Sequence, residues 1–251
     1  MLKKKESSKI QYQVLTALVL PVYNEYSNLP RLIEDLLHNA SNSTAIIVVD
    51  DSEPKVLSDG YKKNFKIHVL ENTKKQGRGS AVRQGIGYCI DNFPNVTRII
   101  EADSDGSHTT NCIEELINLT SDYDLVIGSR YLDQSEIVGW PIYRKLFSSI
   151  INKLIPKLIG VNSTDLTNGL RSYSINSART ILQHENKLNG FMNLSETAKI
   201  ISTHKLTIKE IPTKFVNRTS GRSSITFKDI FKSVLGLLYL INTDGCEKCE
   251  F

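Results

Sequence analysis

The sequence predicts an α/β protein with a doubly wound, mostly parallel sheet flanked by helices. Short, nearly continuous apolar runs alternate with segments of helical apolar spacing through the first half of the chain. Helices cover both faces of a parallel sheet, so its strands are apolar along their whole length. Each run also ends in polar residues, and ligands bind beyond the carboxyl ends of such strands. The pattern therefore predicts both the fold and one edge that carries a site.

The elements of the first half follow from these patterns in order. Strands are predicted where apolar, β-branched residues run together, at 14–20, 45–49, 67–70, 99–100 and 125–128. Helices are predicted where apolar residues recur every three or four positions, at 29–37, 82–90 and 112–119. The first strand is expected to break at Pro21. Four strands end in the polar sets Tyr23/Asn24/Glu25, Asp50/Asp51, Asp103/Asp105 and Ser129/Arg130.

The second half is less regular. It predicts a helix at 143–158, a loop at 165–171, a strand at 206–211, a basic loop at 212–224 and a last helix at 227–241. The wide apolar stripe of the last helix is typical of packing on the protein's own core, and a helix in the membrane interface is the alternative. We expect one domain over 1–225, with a flexible basic leader at 1–10, and a C-terminal amphipathic helix and tail over 226–251.

Composition limits the function classes. The chain has 251 residues, 40% hydrophobic content and a net charge of only +4, which gives no support to nucleic-acid binding. The cysteines Cys89, Cys112, Cys246 and Cys249 form no disulfide framework and fit a reducing cytosol. We expect no secretory leader, and the sequence has no run of 18 apolar residues. We expect a cytoplasmic protein.

The segment after the fourth strand carries the chemistry. In an extended segment, Asp103 and Asp105 point to the same side, and paired carboxylates suit Mg²⁺ or Mn²⁺. Taken alone, the pair is more often a solvated turn. The dinucleotide fingerprint is absent after the first strand, which argues against NAD, and a P-loop is absent too.

Nine motifs in order resemble those of a known family. The chain resembles the family 2 glycosyltransferases of the GT-A fold, and within them the dolichyl- or polyprenyl-phosphate mannose synthases. The motifs are Leu20-Pro-Val-Tyr-Asn-Glu25, Val48-Val-Asp-Asp-Ser52, Gly77-Arg-Gly-Ser-Ala81, Asp103-Ser-Asp-Gly-Ser-His108, Gly128-Ser-Arg-Tyr131, Gly139-Trp-Pro141, Arg144-Lys-Leu-Phe-Ser148, Asp165-Leu-Thr-Asn-Gly-Leu-Arg171 and Arg218-Thr-Ser-Gly-Arg-Ser223.

The resemblance implies a donor site, with Asp50 structural and Glu101 a supporting group. The implied metal ligands for Mg²⁺ or Mn²⁺ on the diphosphate are Asp103, Asp105 and Ser107. The implied nucleotide-binding residues are Pro21, Tyr23, Asn24, Glu25, Asp51, Arg78, Asp103 and Ser104.

The resemblance also implies an acceptor site. Arg130, Arg144 and Ser148 match the positions that hold a lipid phosphate, and with Asp105 they form the implied catalytic set. A lipid phosphate is already an anion and needs cations rather than a general base. Asp165 and Glu196 are expected in the acceptor or sugar pocket. The implied lid over the diphosphate comprises Arg218, Arg222 and Ser223.

The implied reaction is inverting, metal-dependent transfer of a hexose, with mannose from GDP-mannose favoured, to dolichyl or polyprenyl phosphate at the cytoplasmic face of a membrane. The alternatives are a UDP-sugar-using transferase that makes glucosyl- or N-acetylglucosaminyl-lipid or extends a glycan, and a non-catalytic binding subunit. Ser224 replaces a lysine that the family usually has, and Leu194 replaces a glutamine. Without transmembrane helices, the chain would reach its lipid by its final helix, through a membrane partner subunit, or as a peripheral enzyme.

Overall fold

A computed structural model describes residues 14–39, 43–185, 187–188, 190–217 and 227–242. The strands are β1 Thr16–Val22, β2 Thr44–Asp50, β3 Ile67–Glu71, β4 Arg98–Glu101, β5 Leu125–Ser129, β6 Glu136–Val138, β7 Arg171–Ser174, β8 Ile208–Pro212 and β9 Lys214–Val216. The helices are α1 Asn28–Asn39, α2 Asp59–Lys62, α3 Arg78–Asn92, α4 Thr110–Asn118, α5 Ile142–Ile159, α6 Ile175–Gln183, α7 Phe191–Thr203 and α8 Phe227–Asn242.

Seven strands form one sheet in the order β3-β2-β1-β4-β7-β5-β8. Within it β7 runs antiparallel between β4 and β5, and the other neighbouring pairs are parallel. Strands β6 and β9 pair in a separate small sheet. The predicted mostly parallel sheet is confirmed, with one antiparallel strand inside it.

The strand pattern builds two cores. Successive side chains of a strand point to opposite faces, so Leu18 and Leu20 join the cluster under α1 and α4, whereas Val19 joins the cluster under α3, α6 and α7. In β2, Ile46 and Ile47 divide in the same way. Residues 17–20 of β1 and 45–49 of β2 are all apolar and buried, as a sheet with helices on both faces requires.

The prediction that β1 breaks at Pro21 is wrong. The strand continues to Val22, with Pro21 opposite Val49 of β2. On the other side β4 pairs with β1 only up to Val19. Pro21 therefore lies beyond the end of that ladder, where its missing N–H leaves no partner unbonded.

The second half contains elements that the sequence pattern did not indicate. Strand β7, helices α6 and α7 and strand β6 were not predicted, and β9 lies inside the segment expected to be a loop. Strand β7 has the sequence Arg-Ser-Tyr-Ser, and Arg171 and Tyr173 in it are almost fully buried. This polar sequence has no apolar run that would predict a strand. The strand forms because of its contacts with distant parts of the chain.

Helices α5 and α8 each combine a packed face with an exposed apolar face. The two helices contact each other, and α8 also contacts α7. Leu240 of α8 is buried in the core, as expected for a helix packed on its own protein, but Leu235 and Leu238 are exposed. Among the described residues, no helix is both long enough and apolar enough to cross a membrane.

Candidate active site

The polar ends of the parallel strands meet at one edge of the sheet. Strands β1, β2, β4 and β5 all end there, in front of Tyr23, Asp51, Asp103 and Arg130. Because β7 runs antiparallel, it begins at this edge, and the loop 165–170 before it lies there too. The sheet thus collects the predicted donor and acceptor segments in one place.

The Asp50-Asp51 pair has two different environments. Asp50 is fully buried and accepts from the backbone N–H groups of Ser52 and Val56, at 2.8 Å each, so it stabilises the turn after β2. The Asp51 carboxylate accepts from Asn72 Nδ2 at 2.8 Å and from the backbone N–H of Gln76 at 2.8 Å. Asp51 therefore ties the segment before α3 to the end of β2.

The segment after β1 is more open. Tyr23 is exposed, and the Lys75 ammonium lies 3.8 Å from the centre of its ring. Asn24 has a φ of 62°, and its backbone N–H donates to Ser52 Oγ at 2.7 Å. An asparagine tolerates this left-handed backbone better than most side chains. The exposed Tyr23 ring with a neighbouring cation could stack on a nucleobase.

Two further residues of the predicted donor site anchor the segment after β1 by hydrogen bonds. Ser104 Oγ donates to the Pro21 carbonyl at 2.8 Å, which links the end of β4 to the end of β1. Glu25 accepts from Asn28 Nδ2 at 2.7 Å, at the start of α1.

Arg78 is the centre of a partly buried ionic network. Its Nε donates to Asp103 Oδ1 at 2.8 Å, and its Nη1 lies 2.7 Å from Glu101 Oε1, although that contact is not aligned as a hydrogen bond. Burial alone would lower the pKa of Arg78, but the charges of Asp103 and then Glu101 raise it. Tyr173 donates to Glu101 Oε2 at 2.8 Å. Arg78 is thus a permanent cation held between two carboxylates.

Both oxygens of Asp103 have neighbours in this network. Oδ1 accepts from Arg78, and Oδ2 lies 3.4 Å from His108 Nε2. Burial alone would raise the pKa of the Asp103 carboxyl, but the charge of Arg78 and the contact with His108 hold it well below its usual range. Gly169 is required beside them, because a Cβ there would overlap Arg78 Nη2 and lie 2.8 Å from Asp103 Oδ1.

Asp105 and Ser107 form a compact turn beside Asp103. Asp105 is buried, and its Oδ1 accepts from the backbone N–H of Ser107 at 2.9 Å. The Ser107 Oγ is buried and has no hydrogen-bond partner among the residues described. Over those residues, no group of three or more His, Cys, Asp or Glu side chains is arranged to hold a metal.

These donors fit a divalent cation that keeps water and phosphate as further ligands. Carboxylate and hydroxyl oxygens suit Mg²⁺ or Mn²⁺, which are held by one or two carboxylates when phosphates complete the shell. Asp105 and the orphaned Ser107 hydroxyl would supply two such oxygens. Asp103 would take part while keeping Arg78 on one of its oxygens.

Arg130 is fixed by the loop before β7. Its Nε and Nη2 donate to the two oxygens of Asp165 at 2.7 and 2.8 Å, and its backbone N–H donates to Oδ2 at 3.0 Å. Burial alone would lower the pKa of Arg130, but the charge of Asp165 raises it. Asp165 is fully buried, so in this structure it lies behind Arg130 as its partner.

The other predicted acceptor residues lie on α5, close to Arg130. Arg144 is 4.0 Å from the Trp140 ring centre, and Arg130 is 5.5 Å from that same ring. Ser148 Oγ accepts from Tyr131 Oη at 2.6 Å. The structure therefore brings Arg130, Arg144 and Ser148 together around Trp140 and Tyr131.

Glu196 occupies a supporting position on α7. Its two oxygens accept from the backbone N–H groups of Lys187 and Leu188 at 3.2 and 3.1 Å. Burial raises the pKa of Glu196, and the backbone hydrogen bonds offset this only in part. Its predicted pocket role stays a prediction. The predicted lid residues Arg218, Arg222 and Ser223 lie outside the described residues.

Sequence reasoning missed two residues that build this site. Arg171 is fully buried and donates to the carbonyls of Leu194 and Leu166, which shapes the loop before β7. His108 joins the two halves, because it contacts Asp103 and its ring centre lies 5.4 Å from that of Phe215. His108 and Arg171 close two of the motifs quoted above, and that was the only available signal for them.

Comparison with known proteins identifies the family. The model of the family described as Glycosyl transferase family 2 matches residues 17–182, which run from β1 into α6 and include the strand-end segments. The chain belongs to this family. The prediction made from the nine motifs is therefore confirmed at the level of family and enzyme class.

Two curated relatives align with this family 2 glycosyltransferase over most of their length. An undecaprenyl-phosphate mannosyltransferase of Micrococcus luteus is 34% identical over 221 residues, covering 85% of this chain and 88% of the relative. A polyprenol monophosphomannose synthase of Mycolicibacterium smegmatis is 29% identical, covering 86% of this chain and 82% of the relative.

Solved structures share the fold of this family 2 glycosyltransferase at low identity. A glucosyl-3-phosphoglycerate synthase of Mycobacterium tuberculosis, solved with Mn²⁺ and UDP-glucose, has a TM-score of 0.60 at 16% identity, covering 91% of this chain and 79% of that one. A mannosyl-3-phosphoglycerate synthase of Rubrobacter xylanophilus has a TM-score of 0.57 at 12% identity, covering 91% of this chain and 73% of that one. These similarities establish the GT-A fold.

Proposed function

We propose that this enzyme transfers a hexose, with mannose from GDP-mannose as the favoured donor, to the phosphate of a polyprenyl or dolichyl lipid. The reaction is divalent-metal-dependent and inverts the sugar carbon. It takes place at the cytoplasmic face of a membrane. The names of the two curated relatives support the lipid phosphate acceptor and mannose.

The observation that carries the proposal is a pair of arginines around one aromatic ring, at the sheet edge that also carries the Asp pair. Arg130 and Arg144 both lie against Trp140, and Arg130 follows β5 at the edge where Asp103 follows β4. A phosphate acceptor needs fixed cations, and the planar guanidinium binds phosphate oxygens in pairs. A sugar hydroxyl acceptor would instead need a general base to remove its proton.

The donor side follows from the same geometry. A bound Mg²⁺ or Mn²⁺ would neutralise the charge that builds on the nucleoside diphosphate as it leaves. Asp105 and Ser107 would hold this ion, and Arg78 would keep Asp103 in place beside it. The lipid phosphate oxygen would attack the sugar carbon from the face opposite the diphosphate, which inverts the configuration. No proton has to move, because the attacking phosphate is already ionised.

A donor screen tests the proposal directly. Purified enzyme with Mn²⁺ is given either polyprenyl phosphate or a saccharide acceptor, together with GDP-mannose, UDP-glucose or UDP-N-acetylglucosamine, and the glycosylated product is quantified. We expect transfer from GDP-mannose above the others. Transfer only to a saccharide acceptor would contradict the lipid phosphate assignment, and preference for a UDP-sugar would move the enzyme to the alternative donor class.

Two variants test the assigned residues. Asp105→Ala should lower kcat by about 10²–10³, the usual effect of removing a group that stabilises developing charge. The control Asp122→Ala removes an exposed carboxylate outside the site. Arg144→Ala should mainly raise KM for the lipid, whereas the exposed Arg179→Ala on α6 should leave it unchanged. An unchanged KM for the lipid in Arg144→Ala would contradict the proposed binding of the lipid phosphate by Arg144.

A further inference from the structure

Helix α5 carries an unusually exposed apolar face. Ile142 and Tyr143 are 84% and 76% exposed, and the helix has five further large apolar side chains that are 47% exposed or more. These are Leu146, Phe147, Ile150, Leu154 and Leu158. A contiguous apolar patch of this kind on a protein surface marks a site of interaction.

The exposed residues occupy one side of the helix. With 100° between successive residues, they lie within one half of the helix circumference, whereas the buried Asn152, Ile155 and Ile159 occupy the other. The buried side of α5 therefore packs on the core without any of the exposed apolar residues. A helix on a protein surface normally carries polar residues on its second side, and α5 carries a second apolar stripe.

The charges of α5 identify the surface that this stripe fits. Between Ile142 and Ile159 the charged residues are Arg144, Lys145, Lys153 and Lys157, and no acidic residue is present. Lys153 and Lys157 are exposed on the same side of the helix as the apolar stripe. An exposed apolar helix face whose charged residues are all basic is typical of a helix that lies in the interface of an anionic membrane, because long lysine side chains reach the headgroups while their stems stay among apolar groups.

The same helix carries part of the acceptor site. Arg144 and Ser148 are half-buried on α5, on the side turned toward Trp140 and Tyr131. A lipid phosphate lies at the depth of the headgroups, with its hydrocarbon chain below. A helix lying at that depth would present Arg144 and Ser148 to the phosphate without extracting the lipid. The neighbouring α8 also exposes apolar side chains, among them Leu235 and Leu238.

We propose that the exposed face of α5, defined by Ile142, Tyr143, Leu146, Phe147, Ile150, Leu154 and Leu158, docks the enzyme onto the surface of an anionic lipid bilayer. Lys153 and Lys157 bind the lipid headgroups. The link to acceptor delivery rests on the proposed function, but the docking surface itself rests on exposure and charge alone.

Vesicle flotation with the full-length protein tests the surface. Protein-free vesicles of phosphatidylcholine, with and without phosphatidylglycerol, are floated with wild type and variants. The double variant Leu146→Ser/Phe147→Ser should bind at least about tenfold more weakly, because two large apolar side chains are lost. Lys153→Glu/Lys157→Glu should lose the preference for phosphatidylglycerol. The control Phe65→Ser changes a side chain of similar exposure, 64% against 62% and 60%, outside α5.

The outcomes separate the possibilities. Flotation of Leu146→Ser/Phe147→Ser equal to wild type overturns the proposal, provided that thermal unfolding shows both proteins folded. The proposal is also overturned if the wild type does not float but forms a dimer, and light scattering shows that the double variant is a monomer. The exposed face of α5 would then be an interface between two copies of this chain.

A transfer assay distinguishes the docking surface from the proposed function. Leu146→Ser/Phe147→Ser should lose transfer to long-chain polyprenyl phosphate in vesicles, yet keep wild-type transfer to a short-chain, water-soluble prenyl phosphate. Equal loss with both acceptors contradicts docking as the role of this face. If wild type floats as expected but transfers to neither acceptor, the docking surface stands and the proposed function fails.

Discussion

Asp165→Asn tests whether the ion pair behind the acceptor site is an energetically important buried interaction. Arg130 places three N–H groups on the Asp165 carboxylate, which is fully buried. An asparagine keeps one acceptor oxygen and turns an amide NH₂ toward the remaining donors. The guanidinium would then stay buried with a neutral and partly repulsive partner.

The expected loss is large because only one partner of a buried pair is removed. Such changes lower the free energy of unfolding by about 3–5 kcal/mol, since the remaining charge is left uncompensated. For a domain of this size the midpoint of thermal unfolding falls by about 2–4 °C per kcal/mol, or roughly 6–20 °C here. The acceptor KM should rise as well, because Arg130 loses its fixed orientation.

Urea unfolding of wild type and variant at neutral pH measures the change. The matched control is Glu136→Gln, which neutralises one member of the exposed pair Lys214–Glu136 at 2.8 Å and should change stability by only about 0–1 kcal/mol. The reasoning is refuted if Asp165→Asn unfolds within the range of this control, because the buried pair would then contribute no more than an exposed one.

Three further predictions follow from the network and the loops around it. Burial alone would raise the pKa of Asp124, but hydrogen bonds from the segment before β8 hold it below its usual value. The Asp124 carboxylate therefore stabilises the fold above about pH 4, and this contribution is lost as the pH falls. The difference in unfolding free energy between wild type and Asp124→Asn, measured in urea, should shrink from pH 7 to pH 3. A difference that stays constant over this range would exclude the linkage. Gly169→Ala places a Cβ against Arg78 Nη2 and 2.8 Å from Asp103 Oδ1, and should cost up to about 100-fold in kcat/KM through displacement of this ion pair. Gly87→Ala, with 4.0 Å to its nearest neighbour, should be neutral in the same steady-state assay. Tyr173→Phe removes a hydrogen bond to the carboxylate at the end of β4 and should lower the unfolding free energy by about 1.5–3 kcal/mol; a smaller change in urea unfolding would show that the bond is dispensable.

Local patterns predicted much of this protein. Apolar runs identified β1, β2, β3 and β5, because a strand covered on both faces must be apolar along its length. The polar residues after those runs identified the edge that carries the candidate site. Neither conclusion needed contacts between distant residues.

Elements that depend on contacts between distant residues were not predicted, because local sequence patterns do not report such contacts. Strand β7 has only four residues, and its buried Arg171 and Tyr173 are stabilised by carbonyls and a carboxylate from elsewhere in the chain. The pairing of β6 with β9 likewise joins segments far apart in sequence. Such elements depend on the rest of the fold being in place.

The sequence by itself therefore determined the parallel sheet, its polar edge and the identity of the charged groups at that edge. Only the tertiary structure decided the partner of each group: Asp103 with Arg78, and Asp165 with Arg130. It also decided that, among the described residues, the second apolar stripe of α5 is exposed. Periodicity reports which residues share a helix face, but what covers that face, and which charge lies within a few ångströms of another, depends on how distant segments pack.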